Sequence, residues 1–395
     1  MLVKQAQANL KFLSVLTFLS NFRFFEGVIA VYFAAITGSF ATAMAVLACM
    51  NLSSSFFEIP TGVFSDRAGR KKTIIISYFA TTCAIFFYYL AHSALFLFIG
   101  ALLQGFAMAM RSGTMSAYVY ENLEIIGRES EFQRQEGHRQ ALGRYAMVVA
   151  GIGGTGIIYL FDIRTAVFLT LFVLFISFVL AFRLVDIRAS DAVTTNIYAG
   201  IGNAWRSFIT DKELRNVSIG QMIAQGGGNV EYRFRALFYA TIASDWIVNL
   251  LGMLNNLFTG ISSTYAHAIV RRSGFFHALV TAGIIDRVGT FFLVLTRSLP
   301  SAFLMSIVTS VVFGIRQIGA EDLLQKRYTK EQRATMGSLV GFGLSLIYGI
   351  LGIVIGFLAD RIGVMNTLLL LQPILLISSW FFFKGIKYSQ IASRY

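Results

Sequence analysis

Six arginines stand in stretches that are otherwise almost wholly apolar: Arg23, Arg111, Arg233, Arg235, Arg287 and Arg316. Three acids share those stretches: Glu26, Glu231 and Asp286. A guanidinium presents a planar fork that grips a carboxylate or phosphate through two hydrogen bonds. A carboxylate removed from water can exchange a proton when a neighbouring charge changes. Arg23 and Glu26 are three residues apart, and Glu231 and Arg235 four, so on a helix each pair shares a face and can neutralise itself. Arg111 and Arg316 have no acid within one turn and need a partner from another helix or a bound anion. Tyr118, Tyr120, Asn122, Tyr232 and Tyr239 can add aromatic and hydrogen-bonding walls, although in a chain with 38 Phe and 16 Tyr each alone reads as packing.

The elements that must hold these groups are membrane helices. Of 395 residues 56% are hydrophobic and only 13% charged, where soluble domains run at roughly 25% charged. Apolar stretches long enough to cross a core of about 30 Å fall near 12–37, 40–60, 73–93, 95–120, 141–160, 164–183, 215–242, 246–270, 275–295, 299–320, 335–358 and 364–383. Twelve transmembrane helices are therefore expected, and an all-α integral membrane fold. The first run is too long for a signal peptide's apolar region and carries Arg23 and Glu26, so it is expected to remain as a helix. Among the basic residues outside the spans only Arg164, Arg297 and Arg361 fall on one side. The positive-inside rule then places both termini in the cytoplasm of a multi-pass cell-membrane protein, a bacterial inner membrane being expected. The net charge of +13 is spent on this asymmetry, and nucleic-acid binding is not expected.

The stretch from about 184 to 214 is the one long polar connection and divides six spans from six. Expected domains are an N-terminal six-helix bundle at 1–185, a cytoplasmic linker at 186–213 and a C-terminal six-helix bundle at 214–395. A shift of about 205 residues brings Arg111 onto Arg316, as in a duplicated unit. Between the second and third spans, Gly62-Val-Phe-Ser-Asp66-Arg67-Ala-Gly69-Arg70-Lys71-Lys72 follows Glu58-Ile-Pro60-Thr61. This resembles the cytoplasmic signature of the major facilitator superfamily. A weaker copy, Val270-Arg271-Arg272-Ser273-Gly274, lacks the acid. Gly62 is expected to let two helices approach closely, Gly69 to make a tight turn, and Asp66 with Arg67 and Arg70 to latch a gate. EIPTG together with Arg111-Ser-Gly-Thr-Met-Ser-Ala-Tyr-Val-Tyr-Glu-Asn-Leu looks like a bacterial efflux subgroup. The glycines of AGIGGTG at 150–156 resemble an antiporter signature without its proline and read as close packing.

The resemblance implies that spans 1, 4, 7 and 10 line a central cavity. These carry Arg23, Arg111, Arg233, Arg235 and Arg316, five arginines against Glu26 and Glu231, which points to a substrate with an anionic group. Tyr118 and Asn122 join that substrate set, and Glu26 or Glu231 is expected to carry a coupled proton. Gly226-Gly227-Gly228 is costly inside a helix and marks a hinge or a close contact. Asp286 and Arg287 fall in span 9 and stay without a role, with contact to span 8, contact to a partner chain and a misplaced span boundary all open. The function expected is a proton-coupled exporter, antiporting an amphipathic organic anion or zwitterion by alternating access; the alternatives are a solute importer and a non-transporting receptor or assembly partner. No nucleophile elbow, phosphate loop or paired catalytic carboxylate occurs, so neither an enzyme nor an ATP-driven pump is expected. His92, His138, His267 and His277 lack ligand spacing, and Cys49 and Cys83 suggest no disulfide. Neither metal nor cofactor is expected; the partners are a small molecule, protons and the lipid bilayer, and the chain is expected to be a monomer.

Overall fold

In hydrocarbon every backbone N–H and C=O must be paired within the protein, which favours helices. The computed structural model describes residues 2–186, 205–328 and 333–392, and every regular element among them is helical. In order these are α1 (Leu2–Ser20), α2 (Ile29–Thr37), α3 (Phe40–Ala68), α4 (Arg70–Leu90), α5 (Ala94–Arg111), α6 (Thr114–Ile125), α7 (Phe132–Leu160) and α8 (Ile163–Ala181). Then follow α9 (Lys212–Gln221), α10 (Gly228–Tyr239), α11 (Asp245–Phe276), α12 (Ala282–Leu295), α13 (Leu299–Gln325), α14 (Arg333–Ile362) and α15 (Val364–Ala392). Nine segments of the described residues are long and apolar enough to cross a membrane. One of them, Asp245–Leu295, has 51 residues and accommodates two passes. The α1–α2 and α9–α10 pairs complete the twelve.

Four of the spans expected to be continuous are interrupted, the first, fourth, seventh and ninth. The first breaks between α1 and α2, where Asn21 Nδ2 donates to the Thr17 carbonyl at 2.8 Å and the Phe24 amide to Thr170 Oγ1 at 3.1 Å. These bonds replace the helical ladder that the break forfeits. The fourth breaks at Ser112 and Gly113, with φ +64° at the glycine. The seventh contains a π-helical segment, Met222–Gly227, between α9 and α10. A second π segment, His277–Thr281, precedes α12, and Gly274 kinks the chain just before it with φ +81°.

The chain folds as two compact units, one of Met1–Gly38, Cys49–Val193 and Asp245–Met253, the other of Ser39–Ala48, Thr194–Ser244 and Leu254–Tyr395. Residues 187–204, most of the expected linker, lie outside the described residues. The first unit's core joins Leu13 and Leu16 of α1, Ile74 and Tyr78 of α4, Tyr118 and Leu123 of α6, and Ala181 of α8. A β-carbon at Gly154 would strike the Phe24 backbone, and one at Gly151 would stand 2.6 Å from Met253. The 150–156 glycines thus let α7 meet its neighbours at backbone distance. In the second unit Leu214, Val217, Leu279, Leu323, Met336 and Phe382 form a core. There Asp360 caps α3, accepting from the Phe40 amide and Ser39 Oγ, each at 2.7 Å.

Candidate functional site

Five charged side chains meet in the interior of the second unit, and none is more than 6% exposed: Glu231 and Arg235 of α10, Asp286 and Arg287 of α12, and Arg316 of α13. Arg287 is the hub. Its Nη1 donates to Glu231 and its Nη2 to Asp286 Oδ2 at 2.5 Å. Gln372 of α15 lies against both partners, accepting from Arg287 at 3.3 Å and donating to Glu231 at 3.4 Å. Arg235 donates to Thr309 Oγ1 on α13 and to the Met305 carbonyl at 3.4 Å. Arg316 donates to Ser378 and Ser379 of α15 at 2.9 and 3.3 Å, and its guanidinium lies 5.5 Å from the Phe382 ring centre.

Local sequence builds this arrangement. Each π segment shifts the helical register, as such segments do at functional sites, and each stands just upstream of charged residues, one before Glu231 and the other before Asp286. The three glycines of the seventh span serve packing: a β-carbon at Gly226 would lie 2.8 Å from the Leu344 carbonyl, and one at Gly228 3.0 Å from Phe313. Gly283, one turn before Asp286 and Arg287, makes room for a guanidinium. A β-carbon there would stand 2.7 Å from Arg316 Cζ.

Several expectations need correcting. Glu231 is paired with Arg287 of α12 and not with Arg235 on its own helix, because α13 offers Arg235 a hydroxyl and a carbonyl instead. Arg316 turns into its own unit, toward α12 and α15. Tyr118 and Asn122 are fully buried core residues: Tyr118 donates to the Val185 carbonyl at 2.8 Å, and Asn122 accepts from Asn9 at 2.9 Å. They join α6 to α1 and the end of α8's connection and present no surface to a solute. Arg111 stacks over Tyr78 of α4, 5.8 Å from its ring centre, and Arg233 over Tyr232 at 5.2 Å. Arg23 and Glu26 keep their local pair at 3.7 Å across the broken first span. A cavity of about 790 Å³ in the first unit is lined by Gln7, Lys11, Arg128, Glu131, Arg134 and His138 among others, and by none of the expected binding residues.

At the α3–α4 junction Arg70 collects three partners, Asp66 at 2.6 Å, Glu121 of α6 at 2.9 Å and Ser65 Oγ at 2.9 Å. Gly69 has φ +96° and ψ 150°, which a β-carbon would strain. Arg67 is exposed. Gly62 is exposed, with open space where a β-carbon would stand, so no helix of its own unit approaches it closely.

The profile of the Major Facilitator Superfamily matches residues 12–346. The chain belongs to this superfamily. Similar solved structures include the nucleoside transporter NupG, with TM-score 0.75 and 15% identity over 97% of this chain and 99% of that one. A D-xylose-proton symporter matches with TM-score 0.72 and 12% identity over 95% and 96%. A POT family transporter solved with 5-aminolevulinic acid matches with TM-score 0.73 and 11% identity over 94% of each chain. No curated protein sequence matches the chain. At such identities these likenesses speak for the fold.

Within this superfamily member, sequence reasoning missed Gln372, Thr309, Ser378 and Ser379 as partners of the charges. A signal for one of them, Gln372, was present. Asp286 and Arg287 were visible as charges at membrane depth, where retained charges usually serve function, and Gln372 is a polar side chain in an apolar run. Among the described residues no cluster of His, Cys, Asp and Glu could hold a metal ion.

Proposed function

We propose that this facilitator-superfamily protein is a proton-coupled secondary transporter for an organic solute with an anionic group, and that it takes the solute up together with protons. The supporting observation is the cluster around Arg287, where three buried arginines face two buried acids. A solute anion competes with those carboxylates for guanidinium groups. A proton on a carboxylate releases its arginine, so anion and proton bind with mutual favour and travel in the same direction. An inward proton gradient then drives uptake. Export by antiport keeps the support of the EIPTG resemblance and requires the opposite coupling sign. Arg23, Arg111, Arg233, Arg235 and Arg316 remain the proposed contacts for the solute, with Glu26, Glu231 and the Asp66–Arg70 gate as coupling elements. We also place both termini in the cytoplasm of a cell membrane, with the chain acting as a monomer.

Proteoliposomes loaded at alkaline pH and diluted into acidic medium test this. A panel of labelled organic acids and zwitterions should include one accumulated under the imposed gradient and lost on adding an uncoupler. Accumulation only when the gradient is reversed would assign export, and movement indifferent to the uncoupler would remove proton coupling.

A further inference from the structure

One pocket of the second unit opens directly onto the charge cluster. Gln221, Gln225, Asp286, Arg287, Arg316 and Gln317 line it, with Phe313 and Phe382 as apolar walls. Its volume is about 10 Å³, room for a single atom-sized guest. We propose that this pocket is a seat for one small monoanion, a halide or the end of a carboxylate group, held between Arg316 and Arg287.

Three observations converge. Arg235, Arg287 and Arg316 carry three positive charges against the two negative charges of Glu231 and Asp286, and all five are buried. An uncompensated buried charge is strongly unfavourable, and a monoanion cancels the excess of one. Among the described residues the Nε–H groups of Arg287 and Arg316 have no hydrogen-bond partner, although both side chains are more than nine-tenths buried. Both residues line the pocket. Finally, the room for the guanidinium is built in: Gly283 keeps the space that Arg316 Cζ occupies, while Ser378 and Ser379 both accept from its Nη2.

The anion binds more tightly as the medium becomes acidic. Asp286 Oδ1 also lacks a partner among the described residues, and a proton there turns an acceptor beside the anion into a donor. The charged groups around Asp286 are Glu231 and Arg235 from α10, Arg287 from its own helix and Arg316 from α13. Toward this cluster α15 contributes the neutral Gln372, Ser378 and Ser379. From α9 and the π segment come the amides Gln221 and Gln225.

The seat lies in the arginine cluster on which the transport reading rests, but it is read by binding alone, so failure of the proteoliposome assay and failure of the melting assay are distinguishable. Purified full-length protein is melted in sodium chloride and in sodium isethionate, a bulky monoanion, at matched ionic strength and at mildly acidic and mildly alkaline pH. Chloride should raise the melting temperature saturably, and more in acid. Acetate serves as a further arm: stabilisation by acetate assigns a carboxylate end, and by chloride alone a halide. Gly283→Ala preserves every charge but displaces Arg316, and should raise the half-saturating chloride concentration at least about tenfold, the loss of one charge-assisted hydrogen bond. Asp286→Asn should keep the chloride effect and flatten its pH dependence. Equal melting in chloride, acetate and isethionate would overturn the proposal, as would unchanged chloride dependence in both Gly283→Ala and Arg316→Gln.

Discussion

Arg287 of α12 donates to the carboxylate of Glu231 on α10, a partner 56 residues away in sequence. Removing one member of a buried ion pair strands the other, at a cost of about 3–5 kcal/mol. Arg287→Met is therefore expected to lower thermal stability sharply, and Glu231→Gln less so, because a glutamine still accepts from Arg287. The double variant should recover part of the loss. Melting curves of the four proteins in one detergent check this, and additive losses would deny the coupling.

Glu231→Gln also bears on transport. If the acid carries the coupled proton, its amide should abolish accumulation driven by a pH gradient while sparing exchange of solute against solute, which needs no net proton movement. Asp286→Asn is expected to give the same split, since the two acids share Arg287. Loss of both activities together would mark either residue as structural.

Replacement of Gly69 by alanine should strain the α3–α4 turn, where φ is +96°. Such conformations cost about 1–3 kcal/mol for residues with a β-carbon. Asp66→Asn keeps the turn but weakens the hold on Arg70, leaving Glu121 as its charged partner. Turnover should fall in both variants, with Asp66→Asn retaining normal melting. Cysteine accessibility measured on both faces of the membrane tests whether the gate has shifted, and an unchanged pattern with normal turnover would refute it.

The Asp162 side chain caps α8 by accepting from the Thr165 amide at 2.6 Å. That hydrogen bond holds its carboxyl below the ordinary aspartate range. A depressed value means the contribution is present above the ordinary value near about 4 and is lost as pH falls through the lower folded-state value. Asp162→Ala should cost about 1 kcal/mol at neutral pH, as for a lost N-cap. The difference in melting temperature between the two proteins should narrow in strong acid; a constant difference would count against the cap's ionisation.

Composition and pattern alone determined that this chain is a bundle of membrane helices, because a 30 Å apolar solvent admits no other use for twelve long apolar runs in a chain without strand alternation. The Asp66-to-Lys72 motif carried the family, and local spacing sufficed for Arg23 with Glu26 and for Arg70 with Asp66, whose partners lie within one helical turn. Tertiary structure decided the rest. Spacing put Arg235 within reach of Glu231, yet the partner came from α12, since a side chain on one helix meets whatever face the neighbouring helix presents. Tyr118 and Asn122 looked like cavity walls and proved to be core, because helical rotation is invisible when nearly every residue is apolar. The role of Gly283 could not be read at all: its meaning lies in the guanidinium of Arg316, brought beside it from another helix.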